Sequence, residues 1–389
     1  MLLRGIAALL GPDLTYAPSV DIRTEGGMFA KIAPRLAPDA GERAIDGSGL
    51  LASPGFVNCH THIGDSIAKD VAAGTGVDER VHPVYGVKSR VLGGTDPGQL
   101  AAFMAASCRS MLAGGTTTFA DFREGGIQGV SLLRRACRGI PVRAVILGRT
   151  DAYQDEGQIR ENQPPEAGGA LGDLLEHCDG VGISGANEHS DAALAQYSKT
   201  SKLRAIHAAE TDHSVQESLR MTGRGEVERA LLARPHFLVH MTRATVPELE
   251  AASSISGVVA CPRSNMVLGG RMPDLRGMVG AGCTVALGTD NVMVNSPDMF
   301  REMEFAWKGA GGGLAAPDVL RMATVNGGRV LGMNVGVIRE GAAADYILLE
   351  RHHVDLDIMH DPHAALVHRA GPGSIRAVAV GGRIVHGRA

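Results

Sequence analysis

The sequence predicts an α/β protein whose main body is a (β/α)8 barrel, and three observations lead there. From Leu51 onward, short β-rich runs alternate with longer stretches of helical apolar spacing, the pattern of parallel α/β architecture. Eight such runs fall within about 240 residues, which suits a closed barrel. The polar residues with chemistry sit at the ends of those runs, where a barrel gathers them on one face.

Taken in order, residues 1 to 51 show short apolar runs broken by Gly, Pro and Asp: Thr15 to Pro18, Phe29 to Pro34 and Ile45 to Gly49. They read as small antiparallel strands joined by tight turns, too few for an independent core. Strand one is Pro54-Gly55-Phe56-Val57-Asn58-Cys59-His60-Thr61-His62. Strand two spans Gly115 to Asp121, strand three Val142 to Gly148 and strand four Gly180 to Gly185. Strand five is Leu203 to His207, strand six Phe237 to His240, strand seven Gly257 to Cys261 and strand eight Thr284 to Asp290. Apolar residues at helical spacing fill most gaps, as from Leu100 to Leu112, Val130 to Cys137 and Val215 to Leu232.

Composition narrows the function classes. A net charge of -4 without a long basic or acidic run gives no reason to expect nucleic acid or an anionic membrane as partner. Aromatic content of 4%, with Trp307 the one tryptophan, argues against a stacking platform for single strands. Arg4 interrupts the apolar start, no signal-peptide cleavage pattern follows it, and no run approaches membrane-spanning length. The six cysteines lack paired spacing and suit reduced thiols in a cytoplasm. A small-molecule substrate is the expected partner, and a homo-oligomer is compatible with the composition.

Strand one carries the strongest local signal. Side chains at i and i+2 of a strand point to one side, so His60 and His62 can present both imidazoles to one ion. His207 ends strand five, His240 ends strand six and Asp290 ends strand eight. Three imidazoles, a carboxylate and a fourth imidazole nearby are suitable donors for Zn²⁺ or Fe²⁺. Phosphate-loop, His-Glu-x-x-His, Gly-x-Ser-x-Gly and Cys-x-x-Cys patterns are absent.

With these residues in view, the chain resembles the amidohydrolase superfamily, on the branch of cytosine, guanine and adenosine-type deaminases and triazine hydrolases. The matching pieces are residues 54–62, His207-Ala208-Ala209-Glu210, His240, Cys261-Pro262-Arg263-Ser264-Asn265 and Gly288-Thr289-Asp290. The segments Gly336 to Ile347 and Val378 to Val385 resemble the small β-domain that members build from both termini. The resemblance therefore implies a small β-sandwich domain formed by residues 1–51 and 336–389, around a catalytic barrel at residues 52–335.

It also implies roles. His60, His62, His207 and Asp290 would hold one divalent ion, zinc first and iron second, which lowers the pKa of bound water from about 15.7 toward 7. Asp290 would also accept a proton from the water, Glu210 would shuttle protons to a ring nitrogen and the leaving amine, and His240 would position the water or polarise the substrate. Arg263, Asn265, Lys88 and Asp65 are the candidate substrate contacts. Binuclear members carry a bridging lysine after strand four; Ser184-Gly185-Ala186-Asn187-Glu188-His189 has none, which implies one ion. The same run does not match the histidine-containing, proline-rich run of adenosine-type members, and the loop Gly64 to Arg90 differs from theirs. The expected function is a metal-dependent hydrolase that deaminates a nitrogen heterocycle or nucleoside-like compound with release of ammonia. Hydrolysis of a cyclic amide and a catalytically silent metal-binding barrel are the alternatives.

Overall fold

The computed structural model describes residues 1–165 and 170–388, so Ala389, the expected end of the terminal domain, lies outside the described residues. Strands one to seven occupy Phe56–His62, Thr116–Arg123, Arg143–Gly148, Gly180–Ile183, Leu203–Ala208, Phe237–His240 and Gly257–Ala260. Every adjacent pair is parallel. Helices including Pro97–Ala113, Gly126–Cys137, Asp191–Tyr197 and Asp212–Thr222 lie between them. Strands covered on both faces carry near-continuous apolar or small side chains, and the first two are buried along their whole length.

Strand eight departs from the expected run Thr284 to Asp290: Val285–Leu287 pairs with strand seven, and Asp290–Asn291 pairs with strand one. Between them, Gly288 passes so close to strand one that a Cβ there would lie 2.6 Å from that of His60. The missing ladder is replaced by one side chain. Asn58 Nδ2 donates to Thr289 Oγ1 at 2.7 Å, and Thr289 N–H donates to Asn58 Oδ1 at 3.0 Å. The parallel sheet thus curls until its last strand returns to its first.

Period-two alternation sends one set of side chains inward. Val57 and Cys59, Ala120 and Phe122, Val145 and Leu147, Ala205, Phe237 and Val239, Val259 and Cys261, and Ala286 pack into a single cluster. Cys59 and Cys261 therefore act as small buried hydrophobes. The expected helix Val215 to Leu232 is two helices, Asp212–Thr222 and Glu226–Ala230, because Gly223 ends the first in a left-handed conformation.

The two termini meet in a second sheet. Its order is Arg383–Gly387, Ile375–Val380, Tyr346–Glu350, Leu50–Pro54, Leu2–Leu10, Thr15–Glu25, Met28–Ala33, with Ala44–Asp46 also pairing with Leu2–Leu10. Leu50–Pro54 runs antiparallel to Tyr346–Glu350, which joins the N-terminal strands to the C-terminal ones. Asp345 fastens this sheet to the first: its carboxylate accepts from Arg143 at the start of strand three (2.6 and 3.1 Å) and from Gly381 N–H (2.8 Å). One buried cluster runs from Leu3 and Ile6 through Phe119 and Ile206 to Val378. Among the described residues, no helix is long and apolar enough to cross a membrane.

Candidate metal centre

The strand ends bring together the residues the sequence singled out. His60 and His62 face the same side of strand one, with ring centroids 4.8 Å apart, and His207 lies 4.9 Å from His60 and 5.5 Å from His62. His240 stacks beside His207 at 5.3 Å. Asp290 Oδ1 is 3.1 Å from His60 Nε2 and 3.5 Å from His62 Nε2. Ligand atoms of His60, His62 and Asp290 fall within 4.8 Å of one another, as do those of His60, His207 and His240, and those of Glu210, His240 and Asp290.

The hydrogen bonds around the rings decide what fits between them. His207 Nδ1 faces the carbonyl oxygen of Ile183 at 2.9 Å, so that nitrogen carries the proton and Nε2 offers a lone pair. His62 Nδ1 faces the carbonyl oxygen of Phe122 (3.2 Å) and Glu124 Oε1 (3.1 Å), with the same result. The two Nε2 atoms nevertheless stand 3.3 Å apart. Two lone pairs pointed at each other beside the Asp290 carboxylate repel, and a cation among them turns the repulsion into coordination. His60 adds a buried nitrogen, Nδ1, with no hydrogen-bond partner. The donor set fits a divalent ion.

Electrostatics keep these groups in ligand form. Burial lowers His60 to about 4 and His62 to about 3, and holds His207 well below the ordinary histidine value, so all three are neutral near pH 7. Burial would raise Asp290, but its interactions with the surrounding imidazoles, the His60 hydrogen bond first, outweigh it and hold the carboxylate well below its usual range. Glu124 is likewise held well below the usual range: burial opposes, while Lys88, Arg123 and His62 prevail.

Three further side chains set the orientation. Ser264 Oγ donates to Asp290 Oδ2. Asn265 Nδ2 lies 2.9 Å from His240 Nδ1. Glu124, after strand two, joins His62 to Lys88 Nζ at 2.5 Å and to Arg123. Sequence reasoning passed over Ser264 although it lies in the quoted run 261–265, and it passed over Glu124, which carries no local signal.

The rings open on a cavity of about 120 Å³ that Glu210 also lines. Glu210 Oε2 stands 3.5 Å from His240 Nε2, placed by the turn at Ala209, whose φ is +49°. Of the four expected substrate contacts, Lys88 alone reaches the cavity wall. Asp65 is fully buried, accepting from Asn291 Nδ2 (2.8 Å) and Met293 N–H (3.1 Å), and so fixes the loop after strand eight. Arg263 is turned to Ser296 O and Glu302, and Asn265 to His240, so both position other groups.

The model of the amidohydrolase family matches residues 51–385. A Methanothermobacter thermautotrophicus protein named "Putative aminohydrolase" is 38% identical over 386 residues, covering 97% of each chain. The 5-methylthioadenosine/S-adenosylhomocysteine deaminase of Pelotomaculum thermopropionicum is 29% identical, covering 99% of this chain and 93% of its own. In fold, the chain is similar to a zinc-bound adenosine deaminase from Xanthomonas campestris, with a TM-score of 0.84 at 20% identity over 98% of this chain and 92% of that one.

Proposed function

Because the chain belongs to the amidohydrolase family, we propose that it removes the amino group of a nitrogen heterocycle or nucleoside-like compound by hydrolysis, releasing ammonia. The observation that carries this reading is the facing pair of unprotonated Nε2 atoms on His62 and His207, 3.3 Å apart beside Asp290, at a cavity that also holds Glu210. His60, His62, His207 and Asp290 would hold one ion, zinc first and iron second. Bound there, it supplies water activated for attack at neutral pH.

The chain's own residues supply the proton traffic. Asp290, fixed by Ser264, takes a proton from the attacking water. Glu210 gives its proton to the ring nitrogen next to the reacting carbon, takes up the hydroxyl proton of the tetrahedral centre and passes it to the departing amine, and Asp290 then returns the water proton to Glu210. His240, oriented by Asn265, donates toward the attacked face. The curled sheet is read as a (β/α)8 barrel at residues 52–335. Residues 1–51 and 336–389 form the small β-sandwich domain, supported by the burial of Leu2, Leu3, Ile6, Ala7, Ala8 and Leu9 along one strand. The reduced cysteines fit a cytoplasmic setting.

The test is a panel of amino heterocycles and nucleosides incubated with zinc-loaded protein, with ammonia measured by a coupled dehydrogenase. Ammonia release dependent on metal loading is expected. A substrate opened without ammonia would replace this reading with cyclic-amide hydrolysis, and a panel without turnover would leave a binding protein.

A further inference from the structure

Two thiols away from the metal centre touch each other. Cys108 lies on helix Pro97–Ala113 and Cys137 is the last residue of helix Gly126–Cys137, and their Sγ atoms stand 3.7 Å apart. Among the described residues this is the one thiol pair in contact. Cys108 is fully buried and Cys137 is partly exposed, so a small solute meets Cys137 first. The other four cysteines, Cys59, Cys178, Cys261 and Cys283, are all buried.

The gap between the sulfurs is one the chain can close. A disulfide bond is about 2.05 Å long, so the sulfurs need to approach by less than about 2 Å. Cys137 sits where movement costs least: after it Arg138 leaves the helix in an extended conformation and Gly139 turns at φ +77°, so the residue is at a helix end and not in mid-ladder. Charge divides the two roles. The Cys108 hydrogen bond lowers the Cys137 thiol below its ordinary value and Arg134 assists, while burial and Asp121 oppose. The same bond raises Cys108, and burial adds to it.

We propose that Cys108 and Cys137 form a redox-modification site for hydroperoxides, closing reversibly to a disulfide that staples the two helices. The Cys137 sulfur attacks the terminal peroxide oxygen; an S–O bond forms, the O–O bond breaks, and the departing oxygen leaves with the thiol proton as an alcohol or water. Cys108 then attacks the sulfur of the resulting sulfenic acid, forming the S–S bond and releasing the hydroxyl with the Cys108 proton as water. Two thiols give up two electrons and two protons, and one hydroperoxide takes them up.

The bridge joins positions 29 residues apart, and the enclosed segment holds strand two and Glu124, the acceptor behind His62. The same two helices wall a cavity of about 490 Å³ beside the catalytic one, through Leu100 and Met104 on the first and Gln128 and Leu132 on the second. Oxidation therefore fixes the spacing of those walls and ties down the segment that supports a metal ligand. None of this depends on which substrate the metal centre takes.

The experiment exposes reduced, zinc-loaded protein to hydrogen peroxide at neutral pH, counts thiols after denaturation and maps peptides without reduction. At a dose that leaves Cys137→Ser with all its thiols, wild type should lose two of its six, yield a linked peptide pair containing Cys108 and Cys137, and recover both thiols in dithiothreitol. Cys108→Ser should stop at the Cys137 sulfenic acid, trapped by dimedone. The bridged protein should melt a few degrees above the reduced form, because a disulfide restricts the unfolded chain. Wild-type thiols that survive the same dose, a bridge to any other cysteine, or oxidation of Cys137 without a bridge would overturn the site, and a bridge that leaves the melting temperature unchanged or lower would overturn the stapling.

Discussion

Glu124→Gln should loosen the metal centre and the fold together. The glutamate carboxylate accepts the Nδ1–H of His62 at 3.1 Å, pairs with Lys88 at 2.5 Å and bridges to Arg123. Glutamine keeps the volume and one acceptor oxygen but removes the charge. A weaker acceptor behind His62 makes its Nε2 a poorer donor, and changes of this kind cost about 10–100-fold in metal affinity. Lys88 and Arg123 are only 5% and 4% exposed, so they are left as buried cations short of a counter-charge. Breaking a buried pair costs about 3–5 kcal/mol. Here Asp65 remains 3.8 Å from Lys88, and Asp121 3.7 Å from Arg123, which places the loss near about 3 kcal/mol. Zinc competition against a chromophoric chelator and calorimetry of metal-free protein separate the two effects. Affinity within about twofold of wild type and an unshifted melting temperature would refute the account of Glu124 as the support of His62.

Glu210→Gln should lower turnover by about 10²–10⁴-fold with metal content unchanged, and a near-normal rate at full loading would reject Glu210 as the proton shuttle. Metal analysis of protein prepared without chelator should find one ion per chain, lost in His62→Ala; two equivalents retained at high occupancy would contradict the single-ion reading. Truncation after Leu331 should abolish soluble, heat-stable protein, because it removes Tyr346–Glu350 from the edge of Leu50–Pro54 and the carboxylate that holds Arg143; a monodisperse product melting as wild type would show the termini to be dispensable. Burial raises Glu226 to about 8 from an ordinary 4.5, so the folded state binds the extra proton between those values. Its stabilising contribution is complete below about pH 4.5 and is lost as pH rises through about 8. Urea unfolding should therefore show wild type losing stability relative to Glu226→Gln across that window, by roughly 1.4 kcal/mol per pH unit at most, and parallel profiles would sink the assignment.

What could be read from the sequence was whatever local periodicity encodes. Alternation put His60 and His62 on one side of strand one, and the β-rich runs ended at His207, His240 and Asp290, so these residues could be gathered before any contact was known. The break in strand eight was not legible, because it depends on Gly288 meeting His60 and on Asn58 replacing ladder bonds from 231 residues away. Glu124 was missed for a similar reason: next to Arg123 it reads as one of a solvated charge pair, and only the folded chain brings His62 and Lys88 to it. Asp65, Arg263 and Asn265 were expected at the substrate. Each is instead consumed by a partner distant in sequence that no spacing rule announces.

Backbone strain links these long-range bonds to the chemistry. Ala209, His240, Met241 and Asp290 have φ of +49°, +75°, +52° and +59°, left-handed values that cost a non-glycine residue on the order of 1–2 kcal/mol each. All four lie at the ends of strands five, six and eight, where the chain must leave the sheet and still aim a side chain into the mouth. Such conformations persist only where the surroundings over-determine them. Met241 N–H donates to Ala208 O at 2.9 Å and Arg243 N–H to Ala209 O at 2.8 Å, which locks the turn after His240 to the turn before Glu210. Asp290 is locked by Ser264 on one side and by pairing with Thr61 on the other. The proposed proton shuttle and the residue facing it are thus fastened to each other through the backbone, and the carboxylate of the metal site is fastened to the strand that carries His60 and His62. Relative motion of strand five against strand six, or of strand eight against strand one, would have to break these bonds first.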